Sequence, residues 1–292
     1  MTKRMTTTLS SLAAAAIVTF AVAAWAGAGE TGGKTLDEAR LSVERASLAR
    51  DTKLDILAKA DRAVKAGVPS EDAAIIITRG LKQGADGKSI TGFLETAATV
   101  KERGLPVRPV LDRIEQGLSK GVPAGRISSA AQGLAEKLAS ARPIVDDLML
   151  SGVKPVPGRG HDDAIETVAR ALEKTIPEDA IMRTGGKVKE QKGSITLFAK
   201  AVDTMTTFAA NGMTADRASR LVQAALDKGY SEKDMGKMEE TMFSDLKRGR
   251  SMDEAAEGME NRMNRNDMHE GIGRIGGEQM RGPSAGMGGP GR

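Results

Sequence analysis

Apolar residues recur along the chain at helical spacing, in short blocks separated by small residues. Ala73, Ile76, Ile77 and Leu81 form one stripe, and Ile90, Phe93, Leu94, Ala97 and Val100 form the next. Further on, Ala218, Leu221, Val222, Ala225 and Leu226 repeat the first pattern. Met235, Met238, Met242 and Leu246 repeat the second. Spacing of three and four residues places each set on one helical face. Between the blocks stands a connector of a small residue, a variable residue and then Pro, Ser or Thr. It occurs at Gly67-Val68-Pro69, Gly104-Leu105-Pro106, Ala141-Arg142-Pro143, Thr175-Ile176-Pro177, Gly212-Met213-Thr214 and Gly249-Arg250-Ser251. Successive starts are 37, 37, 34, 37 and 37 residues apart, and Gly84, Gly121 and Gly229 each follow a start by 17. A unit of that length with two internal stops predicts stacked antiparallel helical hairpins, an all-α solenoid-like array.

The local signals agree with that reading. Thr35-Leu36-Asp37-Glu38 is a capping box that predicts a helix start, with the helix running to about residue 65 and a break near Asp51-Thr52. Gly67 suits a left-handed stop, and Pro69 suits a following first turn. Residues 152–160 contain two prolines and three glycines and predict a loop. That loop divides the array into an N-terminal half, 27–151, and a C-terminal half, 161–268. Residues 269–292 form a Gly- and Met-rich tail predicted to be disordered.

The first 26 residues read as a secretory signal peptide. Lys3 and Arg4 precede an apolar run, and Ala24-Trp25-Ala26 fits small-residue cleavage, with Ala26-Gly27-Ala28 as the alternative. Export to the periplasm or beyond is the expectation, with membrane contact only through the signal if it is uncleaved. Removing Lys3 and Arg4 from 43 basic and 39 acidic residues leaves the mature chain at +2, so charge does not point to nucleic acid. Aromatic residues make up 2%, which also argues against base stacking. With zero cysteines there is no disulfide, thiolate nucleophile or Cys-based metal site. No cofactor is implied.

Motifs resembling known chemistry fail on context. Residues 28–35 approach a phosphate-binding loop, but the signal peptide precedes them where a strand is needed. Residues 271–276 match a dinucleotide fingerprint by letter and lead into the Gly-rich tail. Residues 86–95 miss the calcium-loop register and read as a turn and helix start. His161 beside Asp162 and Asp163 is the one histidine placed beside acids in a segment expected to be ordered, and it carries a hydrolase alternative. Nine of the 15 methionines lie between Met235 and Met287, which makes them the sharper clue. Met235, Met238 and Met242 on one helical face are candidates for a pliable partner-binding surface or for core filling. Met259, Met263, Met268 and His269 carry a soft-metal alternative, because thioethers suit Cu(I). The leading expectation is a non-catalytic exported protein that binds a protein or peptide.

Overall fold

A computed structural model describes residues 35–158 and 160–265, and these belong to one compact unit. The proposed signal peptide, the tail, and Met268 and His269 lie outside the described residues. The described residues are all-helical, without a strand; one isolated bridge joins Lys154 to Ser194. Helices α1 (Leu36–Arg45) and α2 (Arg50–Lys65) lead into α3 (Ser70–Lys82), α4 (Gly87–Glu102) and α5 (Arg108–Ser119). A long α6 (Ala124–Leu150) precedes α7 (Gly160–Glu173), α8 (Glu178–Glu190) and α9 (Ile195–Ala210). The described part ends with α10 (Ala215–Asp227), α11 (Glu232–Lys247) and α12 (Met252–Asn264). None of these helices is long and apolar enough to cross a membrane.

The connectors work as helix stops. Residues 67, 84, 104 and 121 have positive φ, and so do 175, 192, 212, 229 and 249. Within each set the intervals alternate between 17 and 20 residues. After each stop the next amide donates to the carbonyl five residues back, as Val68 does to Ala63 at 3.0 Å and Met213 to Phe208 at 3.1 Å. This closure satisfies carbonyls that a helix end leaves open, and the residue making it turns its side chain inward. Val68, Leu105, Ile176, Met213 and Tyr230 are all buried there. At the connectors starting at 67, 104, 175 and 212 the middle residue is therefore an apolar plug, whereas Arg250 makes the same closure with its side chain exposed. Two stops are not glycine. Thr175 and Lys192 hold φ of 59° and 56°, a conformation that costs an L-residue roughly 1–2 kcal/mol. Lys192 carries no sequence signal for a stop, and only the backbone shows it.

Helix starts follow the caps expected of them. Thr35, Asp86, Ser194, Thr214, Ser231 and Ser251 each accept an amide proton from three residues on. Asp86 caps α4 through Ser89 at 2.8 Å, which accounts for 86–95 as a turn and helix start. Pro69 is itself the cap residue, one position earlier than the first turn. The break after α1 falls at residues 46–49, slightly ahead of the expected site.

One connector is overturned. Ala141-Arg142-Pro143 stops nothing, because α6 runs through it. Ala141 prefers the right-handed conformation and packs into the core, so no left-handed turn forms. Pro143 leaves the carbonyl of Ala139 without its intrahelical donor, at a cost of about 3 kcal/mol. Continuing the helix buries Ile144, Val145 and Leu148, each contributing about 1.5–3 kcal/mol, so burial wins. Arg142 donates from Nη1 to the carbonyls of Arg103 and Gly104, at the end of α4.

Packing is between near neighbours in the sequence. Helices α1, α3 and α5 pack in succession, as do α2, α4 and α6. The same relation links α7, α9 and α11, and again α8, α10 and α12. Across the 152–160 loop, α6 packs directly on α7. The loop is pinned: Lys154 donates to the Gly193 carbonyl at 3.0 Å and accepts from the Ile195 amide at 2.8 Å. Between α3 and α4 a glycine notch allows close approach, because a Cβ on Gly80 would meet Ile90 at 2.9 Å. Gly117 and Ile127 reproduce that notch 37 residues later, with an approach of 2.6 Å.

Candidate functional surface

The methionine face is interior. Met235, Met238 and Met242 are fully buried, so they fill the core and present no open surface to a partner. The reason is periodic: α11 turns these positions toward α9 and α12, leaving Lys and Glu outside. Met259 and Met263, one turn apart on α12, are buried as well. The structure thus brings together the Met235 and Met259 groups as core, while Met268 and His269 fall outside the described residues. Among the described residues no group of three or more His, Cys, Asp or Glu is placed to hold a metal ion.

His161 starts α7 and reaches back to α6. Its Nε2 lies 2.7 Å from Asp146 Oδ1, and its Nδ1 is 3.6 Å from Asp162. Asp146 also accepts from Arg142 Nε at 3.4 Å. Both ring nitrogens thus face carboxylates, which orients the ring and clasps two helices.

Several ion pairs bridge successive hairpins. Lys59 pairs with Glu95, Arg62 with Glu102, Arg108 with Asp72, Lys200 with Glu239, and Arg217 with Asp253. The partners stand 36 to 40 residues apart, so the same register that spaces the stops also pairs the charges. Pairs this open to water add little stability, and their weight lies in fixing register.

Three acids with raised carboxyls lie between α3 and α5 and on α7. Burial pushes the Glu115 carboxyl above its ordinary range, against the weaker opposing pull of Arg79, 3.7 Å away. Burial likewise raises Asp72, with Arg108 opposing, and raises Glu166, with Asp163 adding to the shift. Glu115 Oε1 has no hydrogen-bond partner. A raised acid binds its proton more tightly folded than unfolded. The ionised group therefore weakens the fold above its folded pKa, and that penalty fades as pH falls through it. Glu115→Gln is accordingly expected to raise the urea midpoint at pH 7, with the advantage over the native chain shrinking on acidification. An advantage that grows at low pH would contradict the assignment.

Open polar surface is found in the groove between α4 and α6, about 320 Å³ in volume. Gly92, Thr96 and Thr99 line one wall, Gln132 and Ala135 the other, and Val100 and Leu105 form the floor. Glu95 and Glu136 stand on opposite sides, with Arg103 at one end. Small side chains let a ligand backbone come close, and the polar groups can accept and donate hydrogen bonds. No sequence signal marked this groove, because its residues are far apart in the chain and ordinary in type.

Comparison with known protein families, with characterised proteins and with solved structures finds no match. Function therefore has to be argued from the residues and their geometry alone.

Proposed function

We propose that this chain is an exported, non-catalytic stack of helical hairpins that binds a protein or peptide partner. The observation that carries the reading is the neighbour-to-neighbour construction: helix stops at intervals of 17 and 20 residues, with ion pairs joining groups one unit apart. Each unit then buries its apolar face on the next, and the units together offer a long ridged surface. With the methionines in the core, the α4–α6 groove becomes the candidate contact surface. Glu136 supplies a carboxylate for a peptide segment carrying a basic side chain, while the Glu95 carboxylate is already paired with Lys59. Periplasmic or secreted location rests on residues 1–26 and is part of the same proposal.

Gly92 provides a clean test. A Cβ there meets nothing within 4 Å, so a larger residue enters the groove without disturbing the packing. Gly92→Arg is expected to keep helicity and thermal midpoint while abolishing the partner recovered by cross-linking in the native compartment. Retention of the partner by this folded variant rejects the groove. Copper co-purifying in proportion to protein, with no protein partner, would favour soft-metal handling instead.

A further inference from the structure

We propose that the outer face of the first hairpin, α1 with α2, is a self-association surface on which a second copy of the chain docks about a two-fold axis. It is separate from the α4–α6 groove and does not rest on the partner-binding reading. The repeat register shows which face is left open. On α4, a Cβ on Gly87 would collide with Thr52 of α2. Glu95 and Glu102 of α4 pair with Lys59 and Arg62 of α2, and Thr91 on the same face is buried. The positions 37 residues before these four are Arg50, Leu54, Ala58 and Lys65. On α3, which packs on α1, buried Ala74 and half-buried Thr78 correspond in the same way to Asp37 and Leu41. Positions that face a preceding hairpin thus carry leucine where, among the described residues, no hairpin precedes. Leu41 and Leu54 are 49% and 57% exposed. Leu41 is two positions from buried Ala39 and Val43, and Leu54 two from buried Ile56, so each points about 160° away from its helix's core side.

A terminal unit of a stacked array needs a polar outer face. The last hairpin has one. On α12, Glu254, Glu257 and Glu260 are exposed, and no large apolar residue of α11 or α12 is. The leucine face finds no apolar match at that end, so its complement is the same face of a second copy. The charges fit this isologous arrangement. Asp37, Leu41 and Arg45 follow one another at intervals of four, on one stripe of α1. Where two α1 helices cross antiparallel at Leu41, Arg45 of each copy meets Asp37 of the other. Both groups are available. Arg45 is exposed and has no ion pair among the described residues. Asp37 is 84% exposed and engages only Arg40, which also holds Asp61.

The test is sedimentation equilibrium on the full chain at concentrations up to about 1 mM. A face this small predicts a weak, reversible dimer that grows no further. Leu54→Lys is expected to raise the dimer Kd by about tenfold or more with helicity unchanged, because a leucine is no longer covered. Asp37→Lys and Arg45→Glu each set like charges against one another and are expected to weaken the dimer. Mixing those two proteins is expected to restore it, since every contact then joins opposite charges. Leu54→Lys, on α2, keeps the test valid should the charge changes fray the short α1. A chain that stays monomeric throughout overturns the proposal, as does a dimer that Leu54→Lys leaves unaltered. Growth beyond the dimer, or a mixture that fails to associate, overturns the two-fold arrangement.

Discussion

Met238→Glu is expected to unfold the C-terminal hairpins, at a cost of at least about 3 kcal/mol in urea denaturation followed by circular dichroism. Met238 is fully buried on α11, between Met235 and Met242. A carboxylate there would lose its water and gain no cation, so it must either stay charged at high cost or take up a proton. Met238→Leu, with similar volume and no charge, is expected to stay within about 1.5 kcal/mol of native. The pair separates the two roles that methionines at helical spacing can have. If Met238→Glu keeps the native midpoint and loses only a partner, the face is a contact surface and its burial is wrong.

The second large effect concerns the glycine notches. Gly117→Val is expected to destabilise by about 1–3 kcal/mol or more, because the first added carbon already meets Ile127 at 2.6 Å. Three carbons of one Ile127 side chain lie within 3.2 Å of that position, so turning a single methyl does not clear it. Relief must come from the backbones moving apart, which weakens neighbouring contacts, or from trimming the partner. Gly117→Ala combined with Ile127→Val is therefore expected to recover part of the loss of Gly117→Ala alone. Gly80→Ala against Ile90 should behave alike, since it is the same notch one unit earlier. Thermal midpoints of the native chain and the four variants measure this. Equal midpoints for native and Gly117→Ala would show that the α5–α6 approach is looser than described.

Surface charge changes should matter far less. Neutralising Arg62 or Glu102, as Arg62→Gln or Glu102→Gln, removes an exposed pair and is expected to leave the urea midpoint nearly unchanged. The contrast between core and surface follows from solvent: water already stabilises an exposed charge and cannot reach a buried one.

How much was legible beforehand differs by feature. Helices, caps and most stops could be read in advance because they are local. Thr35 and Asp86 bond to amides three residues away, and Gly67 needs only its own missing Cβ to turn left-handed. The connector at Ala141-Arg142-Pro143 misled because its three letters match the others. Whether the chain stops there depends on what Ile144, Val145 and Leu148 gain by continuing. Lys192 misled in the opposite sense, since a lysine gives no local sign of a left-handed residue.

The sequence by itself determined the helical character of the described residues, the spacing of their turns and the absence of cysteine chemistry, since each follows from residue type or from interactions within a few positions. Tertiary structure alone decided which face of α11 points inward, which glycines are notches and where an open groove remains. Those outcomes depend on neighbours brought in from about one unit away. Burial is a property of what covers a residue, and a methionine at helical spacing has the same sequence pattern whether a helix covers it or water does.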